Sequence, residues 1–159
     1  MGALANMASA LTSLGICVGA AAIEGLCAGT GVKAFFAALR APKYSAPLRV
    51  WYAIGVGYYL TFGFIVYRLL ALQAFGALAL VVTMMLSNAL WNLLFFRAKN
   101  LHLAFLVGSA APLLDGPLFV WLLFLDALAA LALLPYLAYR AYAVWWGYAL
   151  WRANPTSVS

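Results

Sequence analysis

Side chains able to do acid–base or metal chemistry are scarce enough in this sequence to be followed one by one. The acidic residues are Glu24, Asp115 and Asp126, and the only histidine is His102. Glu24 interrupts an apolar run from Leu4 to Ala28, Asp115 another from Leu101 to Phe124, and Arg140 stands inside a third from Leu128 to Trp151. A carboxylic acid held neutral in an apolar space can protonate a polyene, and aromatic faces can stabilise the cation that forms. Glu24 and Asp115 are the candidate acid and base for such an isoprenoid cyclase or isomerase, with Tyr58, Trp91, Tyr139 and Trp146 as the aromatic faces. The opposing reading makes Asp115 structural. Asp115 and Arg140 each lie about 12–13 residues from the same end of their helices, roughly 18–20 Å deep at ~1.5 Å per residue. Two sequential antiparallel helices then bring them level as an ion pair. A first-helix glutamate would also suit a small proton-coupled transporter. His102 with Cys17 and Cys27 falls short of a metal site, so neither metal nor cofactor is expected. No phosphate-binding loop, zinc-protease or serine-hydrolase motif occurs.

The elements that position these residues must be membrane helices. Of 159 residues, 69% are hydrophobic and 8% charged, with a mean hydropathy of +1.04. That balance excludes an ordinary soluble domain, a disordered chain and a disulfide scaffold. At roughly 20 apolar residues per crossing, the length accommodates about five helices. The reading is an all-α integral membrane protein with one domain. Its spans cover about 4–28, 50–70, 77–96, 101–124 and 128–151, with a short helix in the first loop near 32–39. The N-terminal run lacks a positive flank and reads as a retained helix. Pro112, Gly116 and Pro117 predict a kink or an unwound turn in the fourth span. Gly15/Gly19 and Gly25/Gly29 have the G-x-x-x-G spacing that lets helices approach closely, inside the bundle or across a homodimer.

Charge sets the orientation. The net charge is +6. With five crossings, Lys33, Arg40, Lys43, Arg49, Arg97, Lys99 and Arg152 share one side and Arg68 stands on the other. The positive-inside rule then places the N-terminus outside and the C-terminus in the cytoplasm. No basic stripe lies on a soluble core, so nucleic acid is not an expected partner. The expected partners are the lipid bilayer and a hydrophobic small molecule.

A pocket for that molecule is legible in the helix periodicity. Tyr139, Ala143 and Trp146 recur at i, i+4 and i+7 and share one face of the fifth span. Asn88 and Trp91 set an amide beside an indole on the third. Apolar walls with a few fixed polar groups are the usual make-up of a ligand site. Val144, Tyr148 and Arg152 also fit the permissive cholesterol consensus, although a Tyr and an Arg at an inner helix end satisfy it without any sterol.

Three segments carry a resemblance. Leu39 to Gly63, LRAPKYSAPLRVWYAIGVGYYLTFG, resembles the first loop and second helix of the TspO/translocator protein family, with Pro42, Tyr44, Pro47, Tyr58, Tyr59 and Gly63 in register. Ser87 to Asn100 is similar to that family's third helix at Asn88, Trp91, Phe95 and Phe96. Pro135 to Asn154 is similar to its fifth at Pro135, Tyr136, Leu137, Trp151 and Asn154. The resemblance implies a five-helix bundle, often dimeric, whose cavity opens under the first loop and binds tetrapyrroles, sterols and flat synthetic ligands. It adds Pro42 and Tyr44 to the expected ligand-binding set of Tyr58, Asn88, Trp91, Tyr139, Ala143 and Trp146. The family's second-helix tryptophan falls at Gly55, its fifth-helix tryptophan at Tyr139, its fifth-helix asparagine at Gly147 and its loop tryptophan at Tyr44. These departures imply a changed ligand preference.

Overall fold

Long apolar stretches separated by short polar turns leave the backbone one economical option inside a bilayer, the helix, which satisfies its own hydrogen bonds. The computed structural model describes residues 3–155, and among them the regular structure is helical throughout. In chain order the helices are α1 (Ala3–Ala28), α2 (Val32–Ala38), α3 (Leu48–Ala71), α4 (Phe75–Asn92), α5 (Leu101–Ala110), α6 (Pro112–Leu125) and α7 (Ala127–Ala153). A π-helical turn, Leu93–Arg97, prolongs α4. Five stretches are long and apolar enough to cross a membrane: Leu4–Ala28, Leu48–Ala71, Phe75–Arg97, Leu101–Leu125 and Ala127–Ala153. The chain is an all-α integral membrane protein.

Local chemistry explains the breaks. Gln73 and Lys99 adopt left-handed backbone, φ 54° and 52°, at the α3–α4 and α4–α5 turns. The Asn100 side chain caps α5 by accepting from the Leu103 amide at 3.0 Å. Pro112 lacks an N–H to continue α5, so the fourth span breaks at Ala111 and restarts as α6. Pro117 nevertheless stays inside α6. At Gly76 a Cβ would lie 2.7 Å from the rim of the Trp121 ring, so a side chain there would have to displace that ring.

Two buried clusters hold the bundle. One gathers Phe62, Ile65, Val66 and Leu69 of α3, Val81 and Met84 of α4, Leu118 and Leu122 of α6, and Leu133 of α7. The second gathers Phe95, Leu101, Ala104, Trp146 and Leu150, with Phe35 and Phe36 of α2 packed on it. α1 lies against α3 and α4 through small side chains. The Ser13 hydroxyl donates to the Gly63 carbonyl at 2.6 Å, and the Cys17 sulfur lies 4.0 Å from the Tyr59 carbonyl. The four α1-region glycines take no part in this close approach: Gly15, Gly19, Gly25 and Gly29 have open space where a side chain would begin.

Asp126 closes the end of the bundle at which α3 meets α4 and α6 meets α7. Its carboxylate caps α7 by accepting from the Leu128 and Ala129 amides at 3.0 and 3.2 Å, and it pairs with Arg68. Burial disfavours its charge, but the Arg68 guanidinium and the two amides outweigh that and hold the carboxyl below the ordinary aspartate range. A depressed folded value means that this contribution to stability is complete above the unfolded aspartate pKa and is lost as pH falls through the folded one. Asp126→Ala should cost about 1 kcal/mol through the lost cap. Thermal unfolding of the variant should be less sensitive than wild type to acidification below about pH 4. Equal acid sensitivity in the two proteins would contradict this role.

Candidate functional site

Between the two clusters the bundle does not close. Small residues of α1 (Ala21, Gly25, Ala28) leave a cavity of ≈ 350 Å³ that α2, α3, α4 and α7 line with large aromatics. α3 contributes Trp51, Tyr58 and Tyr59, α4 and its π-turn contribute Asn88, Trp91, Phe95 and Phe96, and α7 contributes Tyr136, Tyr139, Arg140 and Trp146. Phe36 of α2 also faces it.

The aromatic wall is built by mutual stacking. The Trp146 ring centre lies 4.4 Å from Trp51, 6.2 Å from Phe36 in a parallel stack and 5.8 Å from Phe95. Trp91 stacks on Phe95 at 4.6 Å. Trp51 fixes its ring by donating from its indole nitrogen to the Ala46 carbonyl at 3.1 Å.

Loop residues 39–47 cover this wall, held at three points by α7 and its C-cap residue. Asn154 accepts from the Arg40 amide at 2.9 Å and donates to the Arg40 carbonyl at 3.1 Å. The Tyr142 hydroxyl accepts from the Ala46 amide at 3.0 Å and donates to the Tyr44 carbonyl at 3.1 Å. The Trp146 indole donates to the Ser45 hydroxyl at 2.8 Å. Tyr44 adopts φ 68° within this strap, and its side chain is 75% exposed.

Polar groups at the cavity are few. Glu24 of α1 reaches it with the Asn88 and Tyr59 side chains beside its carboxyl. Its Oε1 is buried without a hydrogen-bond partner among the described residues, as are the hydroxyls of Tyr58 and Tyr59. Arg140 also faces the cavity, but its Nε donates to Asp115 Oδ2 at 3.1 Å.

The residues singled out from sequence therefore divide. Glu24, Tyr58, Asn88, Trp91, Tyr139 and Trp146 meet at one cavity. Ala143 does not line it, although it shares a helix face with Tyr139 and Trp146. Pro42 sits in the strap, its carbonyl accepting from the Ser45 amide at 3.1 Å, and neither it nor Tyr44 lines the cavity. Val144, Tyr148 and Arg152 lie outside it as well; Tyr148 is half exposed and packs on Phe105 and Trp151. The two carboxyls needed for the acid–base reading are apart. Glu24 faces the cavity, whereas Asp115 is drawn to Arg140 and borders a separate, much smaller space. Trp51, Phe36, Tyr59, Tyr136 and Phe95 were not singled out as site residues. A signal for Trp51 was present: it precedes Gly55 by four residues, one helical turn on the same face.

A helical membrane bundle with an aromatic-walled internal cavity under a strapped loop defines a class of small membrane proteins. The TspO/MBR family profile matches residues 13–152, nearly the whole chain. The protein belongs to the TspO/MBR family. No curated protein is significantly similar to the chain.

Proposed function

We propose that this protein works as one transmembrane domain that binds a planar or polyene hydrophobic ligand, of tetrapyrrole, sterol or isoprenoid type, in a sensing or transport-type role. The observation that carries the reading is the ≈ 350 Å³ cavity, walled by stacked aromatics and furnished with a few polar groups. Its size and composition are those of small-molecule sites. The flat faces of Trp51, Trp91 and Trp146 suit a flat or conjugated body.

The same faces supply the test. Titrating the purified protein with a tetrapyrrole, a sterol and a polyene should quench tryptophan fluorescence for at least one of them. Trp91→Ala should weaken that ligand by about tenfold, the loss of roughly 1.4 kcal/mol of ring contact. Absence of quenching by all three would remove the reading.

Two further features belong to it. Seven basic residues at the strap end against Arg68 at the other favour an external N-terminus and a cytoplasmic C-terminus. Labelling of cysteines placed at 40–49 from outside the cell would reverse that orientation. The groove between α1 and α4, lined by Gly15, Gly19, Ile23, Val82 and Leu86, supports a homodimer, because its glycines have open space where a side chain would begin among the described residues. Cross-linking through cysteines at Gly15 or Gly19 reports it, and a monomer at all protein-to-lipid ratios would exclude it.

A further inference from the structure

The polar atoms at the cavity are unevenly served. Of the described cavity-lining residues, only Glu24 and Arg140 carry formal charge. Arg140 is spent on Asp115, and Asp126, the remaining acidic residue, is spent on Arg68 at the far end. Glu24 is left as the acidic side chain with no cation among the described residues. Beside it, the Tyr58 and Tyr59 hydroxyls are also buried and make no well-formed hydrogen bond among the described residues, the Tyr59 hydroxyl lying next to the Glu24 carboxyl. Tyr58, Tyr59 and Asn88 line the same cavity as Glu24.

Buried polar atoms in an apolar enclosure are normally satisfied, and three orphans around one void mark the place of a missing partner. An unpaired carboxyl inside a bilayer is expensive, and a cation is the partner that relieves it. With the Asp115–Arg140 pair neutral overall, an ionised Glu24 gives the cavity an excess of one negative charge, and a bound cation favours that ionised form. The surrounding aromatic faces add attraction for a positive head, as in aromatic cages for ammonium groups. A carboxylate-bearing ligand would meet the opposite: repulsion from Glu24 and no free cation to receive it.

We propose that the cavity selects a hydrophobic ammonium ligand, an amine-bearing planar or polyene body whose cationic head sits at Glu24 between Tyr58, Tyr59 and Asn88. This rests on the cavity being a ligand site and adds the chemistry of the head group. Tetrapyrroles with free carboxylates are then poor ligands, and neutral alcohols are intermediate.

The test uses one flat body with three heads: 1-pyrenemethylamine, 1-pyrenemethanol and 1-pyrenecarboxylate. Binding to the full chain in zwitterionic phosphatidylcholine nanodiscs is read by energy transfer from tryptophan, with empty nanodiscs subtracted. The expected order is amine over alcohol over carboxylate, with the amine at least tenfold tighter than the alcohol. In Glu24→Gln that ratio should collapse towards one. The wild-type order needs no variant, so a Glu24→Gln protein that fails to fold leaves the test intact. Carboxylate binding best, or an amine-to-alcohol ratio unchanged in folded Glu24→Gln, would overturn the head-group assignment while leaving the cavity as a ligand site. Binding of none of the three heads would instead remove the ligand-site reading, and this proposal with it.

Discussion

Asp115→Asn should destabilise the protein by about 3–5 kcal/mol, the cost of leaving a buried guanidinium without its counter-charge. Arg140 and Asp115 are both largely buried, at 14% and 4% side-chain exposure, and Arg140 donates to Asp115 at 3.1 Å. The double variant Asp115→Leu, Arg140→Met should recover most of the loss, because it removes both charges and keeps the volume. Thermal unfolding in detergent, followed by circular dichroism, measures both. A single variant as stable as wild type would show that the pair holds nothing together. The double variant also bears on the excess charge at Glu24: it removes one charge of each sign and leaves the excess at one.

The second large effect is expected at Trp146. Its side chain is 2% exposed and stacks against Trp51 and Phe36 while donating to Ser45 in the strap. Trp146→Ala should cost about 3–5 kcal/mol through the void it opens in the aromatic wall. Trp146→Phe keeps a ring in the stack and loses the hydrogen bond, which should cost nearer 1 kcal/mol. Limited proteolysis within residues 39–47 gives a second readout: the alanine variant should be cut faster than wild type. Equal cleavage rates would mean that Trp146 does not hold the strap.

The fold class was open to sequence reasoning because hydropathy and length act over whole helices. Five apolar runs separated by turns have few alternatives in a bilayer, and the family motifs lie on the same helices. The depth arithmetic for Asp115 and Arg140 also worked, since both sit on regular helices whose rise is fixed. Side-chain lining of the cavity was only partly legible. Helical spacing places Ala143 on the face of Tyr139 and Trp146, but a methyl group between two large rings does not reach the void. The π-helical turn at Leu93–Arg97 is a local register change that no apolar pattern announces, and it governs how Phe95 and Phe96 are presented. Trp51 was hidden for a different reason. Attention to the family's tryptophan position led to Gly55, whereas the ring that fills the space comes from one turn earlier. Tyr44 and Pro42 entered through loop register alone. The strap uses their backbone carbonyls and turns the Tyr44 side chain outward.

The three-point strap bears on the thermodynamics of occupancy. A loop that must fold over its ligand charges that ordering against affinity, residue by residue. Here residues 40–46 are already fixed by Tyr142 and Trp146 of α7 and by Asn154, the residue that caps its C-terminal end. The aromatic wall that a ligand meets is therefore backed by a loop whose conformational entropy was surrendered during folding. The ligand's affinity reflects contact with the wall, with little deducted for organising the loop behind it.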